Sequence, residues 1–423
     1  MTATEILKSK CLSFAQKQSD FLFLNSNQIS SAMKLDSYEF IFMCGQLNTL
    51  EINHKNALEL LADYIEQHKG KWMGLLLSYE LKNEIEDLHS KNNDELEFPN
   101  LKVFVPEYIL TVNKEDEIFC NDSSFLKEIE NENLFCISKL PFLEFESSTN
   151  KEDYTKAIHQ TKNHILDGDV YELNYCIEFH KNNCPELDIV SVYHALNAAS
   201  PTPFSALYAS TSHAILCASP ERFLLKKENL IYSQPIKGTI QRKEDKVEDE
   251  LMKSTLLNSE KERAENLMIV DLVRNDLAKS AKTGSVHVEE LFGIYSFKKL
   301  HQMISTVRAE LNNTPVVDCI QNAFPMGSMT GAPKIKAMEI IDELEKCKRG
   351  MYSGSIGYIS PNLDFDLNVV IRSLQYNSKK QYLSFQVGSA ITIDSDAQAE
   401  YEECLLKGSA MMNLFSKPSS SVL

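Results

Sequence analysis

Between residues 205 and 232 four short strand-like runs, at 205–209, 214–218, 223–225 and 230–232, follow one another with only turn residues between them. Further runs at 173–179, 355–359, 369–376 and 382–393 continue the pattern, and the polar stretch 377–380 reads as the turn of another hairpin. Strands and helices do not alternate regularly. The expected class is therefore α+β, with antiparallel β-sheets packed as a sandwich and helices around them, rather than a Rossmann-type parallel sheet. Neither a G-x-G-x-x-G fingerprint nor a Walker loop is present, so nucleotide chemistry has no positive support.

Helical periodicity is confined to fewer segments. It covers 54–68, the later part of 76–88, a stretch from Asp153 that Gly168 can stop, 260–277 and 396–415. In the first third of the chain the strand-like runs are 39–43, 102–105 and 108–112, and the acidic, Asn-rich stretch 91–97 reads as a loop. The polar stretch 146–151 precedes a change of character. The organisation expected is an N-terminal region, 1–149, a catalytic region, 150–415, and a polar tail, 416–423, frayed at the end.

The composition is that of a soluble globular chain: 423 residues, 43% apolar and 24% charged. The net charge of −17 makes it a poor general binder of nucleic acid or anionic membrane. An anion can bind only where cations are gathered locally. No apolar run is long enough to span a bilayer, and the N-terminus lacks the apolar core of a signal peptide. Ten cysteines are scattered singly with no metal-type spacing, as expected of buried free thiols in a reducing cytoplasm.

The last helix carries Glu400, Glu403 and Lys407 at i, i+3 and i+7, on one face. Neighbouring carboxylates repel unless a cation lies between them, and Mg²⁺ suits oxygen ligands of this kind. A solvated face with a Glu–Lys pair explains the same spacing, and for an arbitrary helix is the better explanation. Glu265 stands in an otherwise apolar helical stretch, where burial demands a partner and a shared metal supplies one; an ordinary surface position is the alternative. Asp271, Arg274, Asn275 and Asp276 read as a structural polar network. In FPMGSMTGAPK, Gly327, Gly331 and Ala332 leave backbone N–H groups open before a helix entered at Pro333, and with Lys334 following they favour an anion site over a plain tight turn. Lys237, between Pro235, Ile236 and Gly238, is either a surface lysine in a turn or a desolvated nucleophile. Glu221, after Pro220, can act as a general acid if its pKa is raised.

Taken together, SPERFL, PIKGT, AENLMIVDLVRNDL, MGSMTGAPK, SGSIGYI, VVIRS and AEYEECLLKG resemble the chorismate-utilising enzymes, in family order from about Asp153 to about Met412. That family includes the large subunits of anthranilate and aminodeoxychorismate synthases and the isochorismate and salicylate synthases. The resemblance implies Mg²⁺ held by Glu265 and Glu403 with Glu400 close by, acting as a Lewis acid near the departing 4-hydroxyl of chorismate. It implies that Tyr358, Arg372 and Lys407 bind substrate carboxylates, helped by the backbone at Gly331 and Gly388. His301 matches a histidine near the substrate ring, and Thr239 and Thr330 line the site.

Within the family, PIKGT in place of PIAGT is characteristic of aminodeoxychorismate synthase component I. The resemblance then implies that Lys237 adds to C2 of chorismate as water leaves C4, with Glu221 as the acid, and that ammonia adds at C4 and expels the lysine. Glu172 stands where isochorismate synthases carry a base lysine and where the aminating enzymes usually carry glutamine, a departure from both. No tryptophan-regulation motif of the LLES type is evident. No amidotransferase elbow with its nucleophilic cysteine is present, so a separate glutamine amidotransferase subunit is the expected source of ammonia. The rival within the family is anthranilate synthase component I, against which Lys237 argues. A catalytically silent chorismate-binding subunit is disfavoured by Glu221, Lys237, Glu265, Glu400 and Glu403 all being kept.

Overall fold

A computed structural model of the chain describes residues 1–29, 35 and 37–416. Its strands form two large antiparallel sheets. The first, 11-stranded, runs from Gly331–Ala332 through Glu172–Lys181, Tyr382–Ile391, Ser373–Asn377, His213–Ser219 and Phe204–Ala209 to Phe21–Asn25, Tyr38–Cys44, Tyr108–Asn113 and Ile118–Cys120; Glu146–Ser147 pairs with Glu172–Lys181. The second, 10-stranded, runs from Ile236–Gln241 through Leu300–Glu310, Leu230–Gln234, Arg222–Lys227, Phe365–Asn368 and Ser355–Ile359 to Met73–Leu77, Leu101–Val105 and Asn48–Ile52; His287–Ser296 pairs with Leu300–Glu310.

Side chains on a strand alternate between its faces, and both faces are used here. Leu22, Ile41, Met43 and Tyr208 of the first sheet meet Leu76, Phe104 and Ile356 of the second in a shared inner core. Their neighbours Phe21, Phe23, Phe40 and Phe42 face the opposite way into a core with flanking helices, as Leu75, Leu77, Val103 and Val105 do on the second sheet. Burial on both faces is why these strands read as continuous apolar runs. The α+β sandwich expected from the hairpins is the architecture observed.

The expected boundary at residue 149 does not separate two cores. Strands from before and after it lie side by side in both sheets, Phe21–Asn25 against Phe204–Ala209 and Met73–Leu77 against Ser355–Ile359. Of the expected tail, residues 417–423 lie outside the described residues. Two local readings also change. The stretch 76–88 begins as the end of the Met73–Leu77 strand, and only then does Ser78 cap the turn Tyr79–Leu81 that leads into Lys82–Ile85. The expected strand 369–376 is restricted to Ser373–Asn377, because Arg372 takes a left-handed φ of 50° that breaks extended pairing.

The two helices that matter for the site are capped by side chains. Ser259 accepts from the backbone N–H of Glu262 to start Glu260–Ala278, and Asp396 accepts from that of Ala399 to start Ala397–Leu414. All ten cysteines are free and most are buried. Among the described residues no helix is long and apolar enough to cross a membrane.

Candidate active site

Lys237 lies in a bulge. The pairing of Ile236–Gln241 with Leu300–Glu310 shifts register between Ile236 and Thr239, and Gly238 takes φ 92°, a conformation that favours glycine. The bulge turns the lysine toward the start of Glu172–Lys181. Its Nζ donates to Glu172 Oε1 at 2.5 Å, with the two side chains only 11% and 2% exposed. Burial acts to lower the pKa of Lys237, but Glu172, Glu265 and Glu221 outweigh it and hold the group above its ordinary value.

Glu221 closes the same pocket. Burial pushes its carboxyl up to about 7, although Ser328 Oγ, donating at 2.6 Å, and the charge of Lys237 both act to lower it. The adjacent Arg222 fixes this corner with paired 2.9 Å hydrogen bonds to Asp366. Arg372 is half-buried; desolvation lowers its pKa to about 10, with Glu221 opposing that shift. Among the described residues no carboxylate forms an ion pair with this guanidinium. A half-buried guanidinium without an ion pair is suited to a carboxylate arriving from outside.

The Glu260–Ala278 helix supplies Glu265, 8% exposed, whose pKa burial raises to about 7, with Lys237 lowering and Glu172 raising it. Its Oε1 has no hydrogen-bond partner; the nearest cation is Lys261, 3.8 Å away. On the Ala397–Leu414 helix Glu400 is buried and accepts from Ser395 Oγ at 2.9 Å. Glu403 pairs with Lys407 at 2.6 Å, each side chain 47% exposed, and Lys407 also donates to the Gly388 carbonyl at 2.9 Å. The ammonium of Lys261 is pulled up by Glu265, Glu400, Glu262 and Glu403 against the opposing effect of its own desolvation, so the carboxylates of both helices act on one place. Among the described residues no three His, Cys, Asp or Glu side chains form a metal-holding group. The orphaned oxygen of Glu265 facing a carboxylate-rich field suits a hard cation, but such a cation would need oxygens from a bound ligand to complete its shell.

Gly331 and Gly388 are sites of close approach. Gly331 pairs with Leu173, and a Cβ there would lie 2.2 Å from the Glu172 carbonyl. A Cβ on Gly388 would lie 2.6 Å from Cys176 Sγ. Thr330 is buried and its hydroxyl donates to the Met326 and Gly327 carbonyls, which fixes the turn before Gly331. Thr239 is exposed at the sheet edge, accepting from Gln302 Nε2 at 3.4 Å.

Three of the expected residues have partners within the protein. Lys334 does not face an anion site; it is buried against Asp276, with its Nζ at 2.6 Å from the carboxylate. That pair is the structural role expected of Asp276. Tyr358 lines a cavity between the sheets whose lining does not include Lys237, Glu221 or Arg372. It packs against Tyr38 and Trp72, with centroids 5.7 and 5.5 Å away. His301 is fully buried with Nε2 2.9 Å from Asp249 and Nδ1 2.9 Å from Ser296 Oγ, so both ring nitrogens are engaged within the protein. It anchors Asp249, whose carboxyl is held well below the usual range by the hydrogen bond from Arg242.

Two partners are visible only in space. Ser328 orders Glu221, and the buried Arg349 donates to the Met329 and Asn174 carbonyls while paired with Glu345 at 2.6 Å. Arg349 thereby ties the 326–331 turn to the strand that carries Glu172. Nothing local in the sequence marks either residue.

A family model described as chorismate binding enzyme matches residues 11–413. The probable chloroplastic aminodeoxychorismate synthase of Oryza sativa subsp. japonica is 42% identical over 64% of this chain and 30% of its own length. Aminodeoxychorismate synthase component 1 of Klebsiella aerogenes is 36% identical over 78% of this chain and 73% of its own. The chain spans less than half the length of the plant relatives it matches, 30% and 45%. The crystal structure of anthranilate synthase component I from Streptococcus pneumoniae TIGR4 superposes with a TM-score of 0.78 at 25% identity, covering 88% of this chain and 91% of that one. A sandwich of this topology, the pocket around Lys237 and a family match running through both sheets lead to one assignment: the chain belongs to the chorismate binding enzyme family.

Proposed function

We propose that the chain is an aminodeoxychorismate synthase component I, which converts chorismate and ammonia to 4-amino-4-deoxychorismate. One observation carries the reading: a lysine with only 11% of its side chain exposed, re-aimed by a glycine bulge, lies within the electrostatic reach of Glu221, whose carboxyl burial pushes up to about 7, so that a large share of it holds a proton at neutral pH. A lysine nucleophile and a carboxylic acid are what replacement of a ring hydroxyl by an amine requires. Arg372 and Lys407 gather positive charge for the carboxylates of chorismate in a protein of net charge −17.

In this mechanism Lys237 forms a bond to C2 of chorismate. The ring double bonds shift and the C4 hydroxyl departs as water with the proton of Glu221. Ammonia then bonds to C4, the double bonds shift back and Lys237 is released. The C4 ammonium returns a proton to Glu221. Glu265 and Glu403, with Glu400 behind them, would hold Mg²⁺, which when bound supplies Lewis-acid stabilisation at the substrate. Ammonia comes from a separate glutamine amidotransferase subunit, and the free thiols suit a cytoplasmic enzyme.

The test is product analysis by mass spectrometry after mixing the protein with chorismate, Mg²⁺ and ammonium at mildly alkaline pH. Aminodeoxychorismate supports the reading. Anthranilate or isochorismate as the main product overturns it, and no Mg²⁺-dependent consumption of chorismate overturns the enzymatic assignment altogether.

A further inference from the structure

Glu172 fits neither pattern of residues that the resemblance supplies at its position, and the structure gives it a partner. Among the described residues it is the one carboxylate at ion-pair distance from Lys237. Its Oε1 meets the amine, while its buried Oε2 has no hydrogen-bond partner. A half-satisfied buried carboxylate is costly, so stability alone is a poor reason for this arrangement. Its position is also fixed. Glu172 pairs in register with Ala332, the Tyr171 N–H donates to the Ala332 carbonyl at 2.7 Å, and the glycine at 331 lets the two backbones close up. The other acids facing Lys237 are differently placed. Glu221 is engaged by Ser328, and Glu265 and Glu262 act from the Glu260–Ala278 helix without an ion pair to the amine.

We propose that Glu172 is the positioning residue of Lys237: it anchors Nζ in the resting enzyme as an ion pair and receives its proton when the amine attacks. The proposal rests on Lys237 being the nucleophile. In the step, Lys237 passes one proton from Nζ to Glu172, and the neutral amine forms the N–C2 bond as the C4–O bond breaks. When ammonia has bonded to C4 and the N–C2 bond breaks, the released amine takes its proton back from Glu172. No proton, electron pair or co-reactant beyond those of the proposed reaction is required.

The experiment is the pH dependence of kcat/KM for ammonia-driven amination in Glu172→Gln, at saturating Mg²⁺, with Lys237→Ala beside it. Glutamine keeps an acceptor oxygen for Nζ but removes the charge that favours the ammonium. Without an internal acceptor the ammonium must shed its proton to solvent before it attacks, so the acid limb is expected to move to higher pH by about one unit or more. Glu172→Asp, which keeps the charge but withdraws it by one methylene, is expected to lose turnover at saturating chorismate while its limb stays near the wild-type position. An unmoved limb in a folded Glu172→Gln, with Lys237→Ala inactive, overturns the role of Glu172 alone. Full amination by Lys237→Ala overturns the nucleophile reading beneath it. If Glu172→Gln does not fold, a limb in Glu172→Asp displaced as far as the glutamine variant should have been also overturns the role.

Discussion

Two Lys–Glu pairs of nearly equal length occupy this site, and they differ in almost everything else. Lys237 and Glu172 meet at 2.5 Å with side chains 11% and 2% exposed; Lys407 and Glu403 meet at 2.6 Å with both 47% exposed. The first joins two different sheets and is fixed by a bulge and by backbone pairing. The second is an i,i+4 contact on one helix, of a kind worth a few tenths of a kcal/mol in isolation. Distance alone therefore says little about what a pair does. The interior pair is preorganised, whereas the helical pair can open cheaply to accept a substrate carboxylate or to release Glu403 to a cation.

The sharpest way to break this comparison is to remove the interior amine. Lys237→Ala is expected to reduce amination by roughly a thousandfold or more, as loss of a nucleophile does. Steady-state rates with ammonium as the amine source check this, and a loss below tenfold would show that the interior pair is structural.

Glu265→Gln comes next. It removes the charge of the one buried carboxylate in the helix-borne cluster that has an orphaned oxygen. The expected loss is about a hundredfold in activity, in the range seen when groups around a metal are altered. Titration of the protein with Mn²⁺, followed by electron paramagnetic resonance, should show weakened metal binding in the same variant. Unchanged binding would remove Glu265 from the ligand set.

Glu221→Gln separates stability from chemistry. Burial moves this carboxyl from 4.5 up to about 7. Below 4.5 folded and unfolded chains both hold the proton; between 4.5 and 7 the folded chain alone does, so its contribution to stability is lost as pH rises through the folded value. Glutamine has no such dependence. Relative to wild type the variant should gain stability between those pH values, by on the order of 3 kcal/mol in total, while losing turnover. Denaturant melts at pH 5 and pH 8 read this directly, and an equal offset at both would refute the buried protonated acid.

How much of this was legible in the sequence depended on whether a role is local. The run from 205 to 232 announced two antiparallel hairpins, one in each sheet, because turn residues and strand residues alternate along the chain. Lys237 was marked by the residues beside it, and Glu400, Glu403 and Lys407 by helical spacing. Glu172 was noticed as a departure, yet nothing in the chain indicated that it would meet Lys237, which lies 65 residues away. Lys334 misled for the same reason, since its partner Asp276 is 58 residues distant. The partners of Tyr358 and His301 were equally illegible, because which way a strand side chain points depends on register, and a shift of one residue reverses it. A change in composition at 149 does not reveal that the residues on either side of it supply strands to both sheets.

The smallest expected effect tests the exposed pair. Glu403→Gln should change folding stability by no more than about 0.5 kcal/mol, because a half-exposed i,i+4 ion pair is screened by solvent and salt. The same substitution should raise the Mg²⁺ concentration needed for half-maximal rate severalfold. Lys407→Met should leave the Mg²⁺ requirement closer to wild type while raising KM for chorismate, because the ammonium faces the Gly388 carbonyl as well as Glu403. If Glu403→Gln instead destabilised the protein as strongly as a buried pair broken on one side, by about 3–5 kcal/mol, the helical pair would be a structural anchor like the interior one. A small stability change with a large metal effect would place the two pairs where their exposure puts them: one holding the reacting amine in the interior, the other held loosely because it must let go.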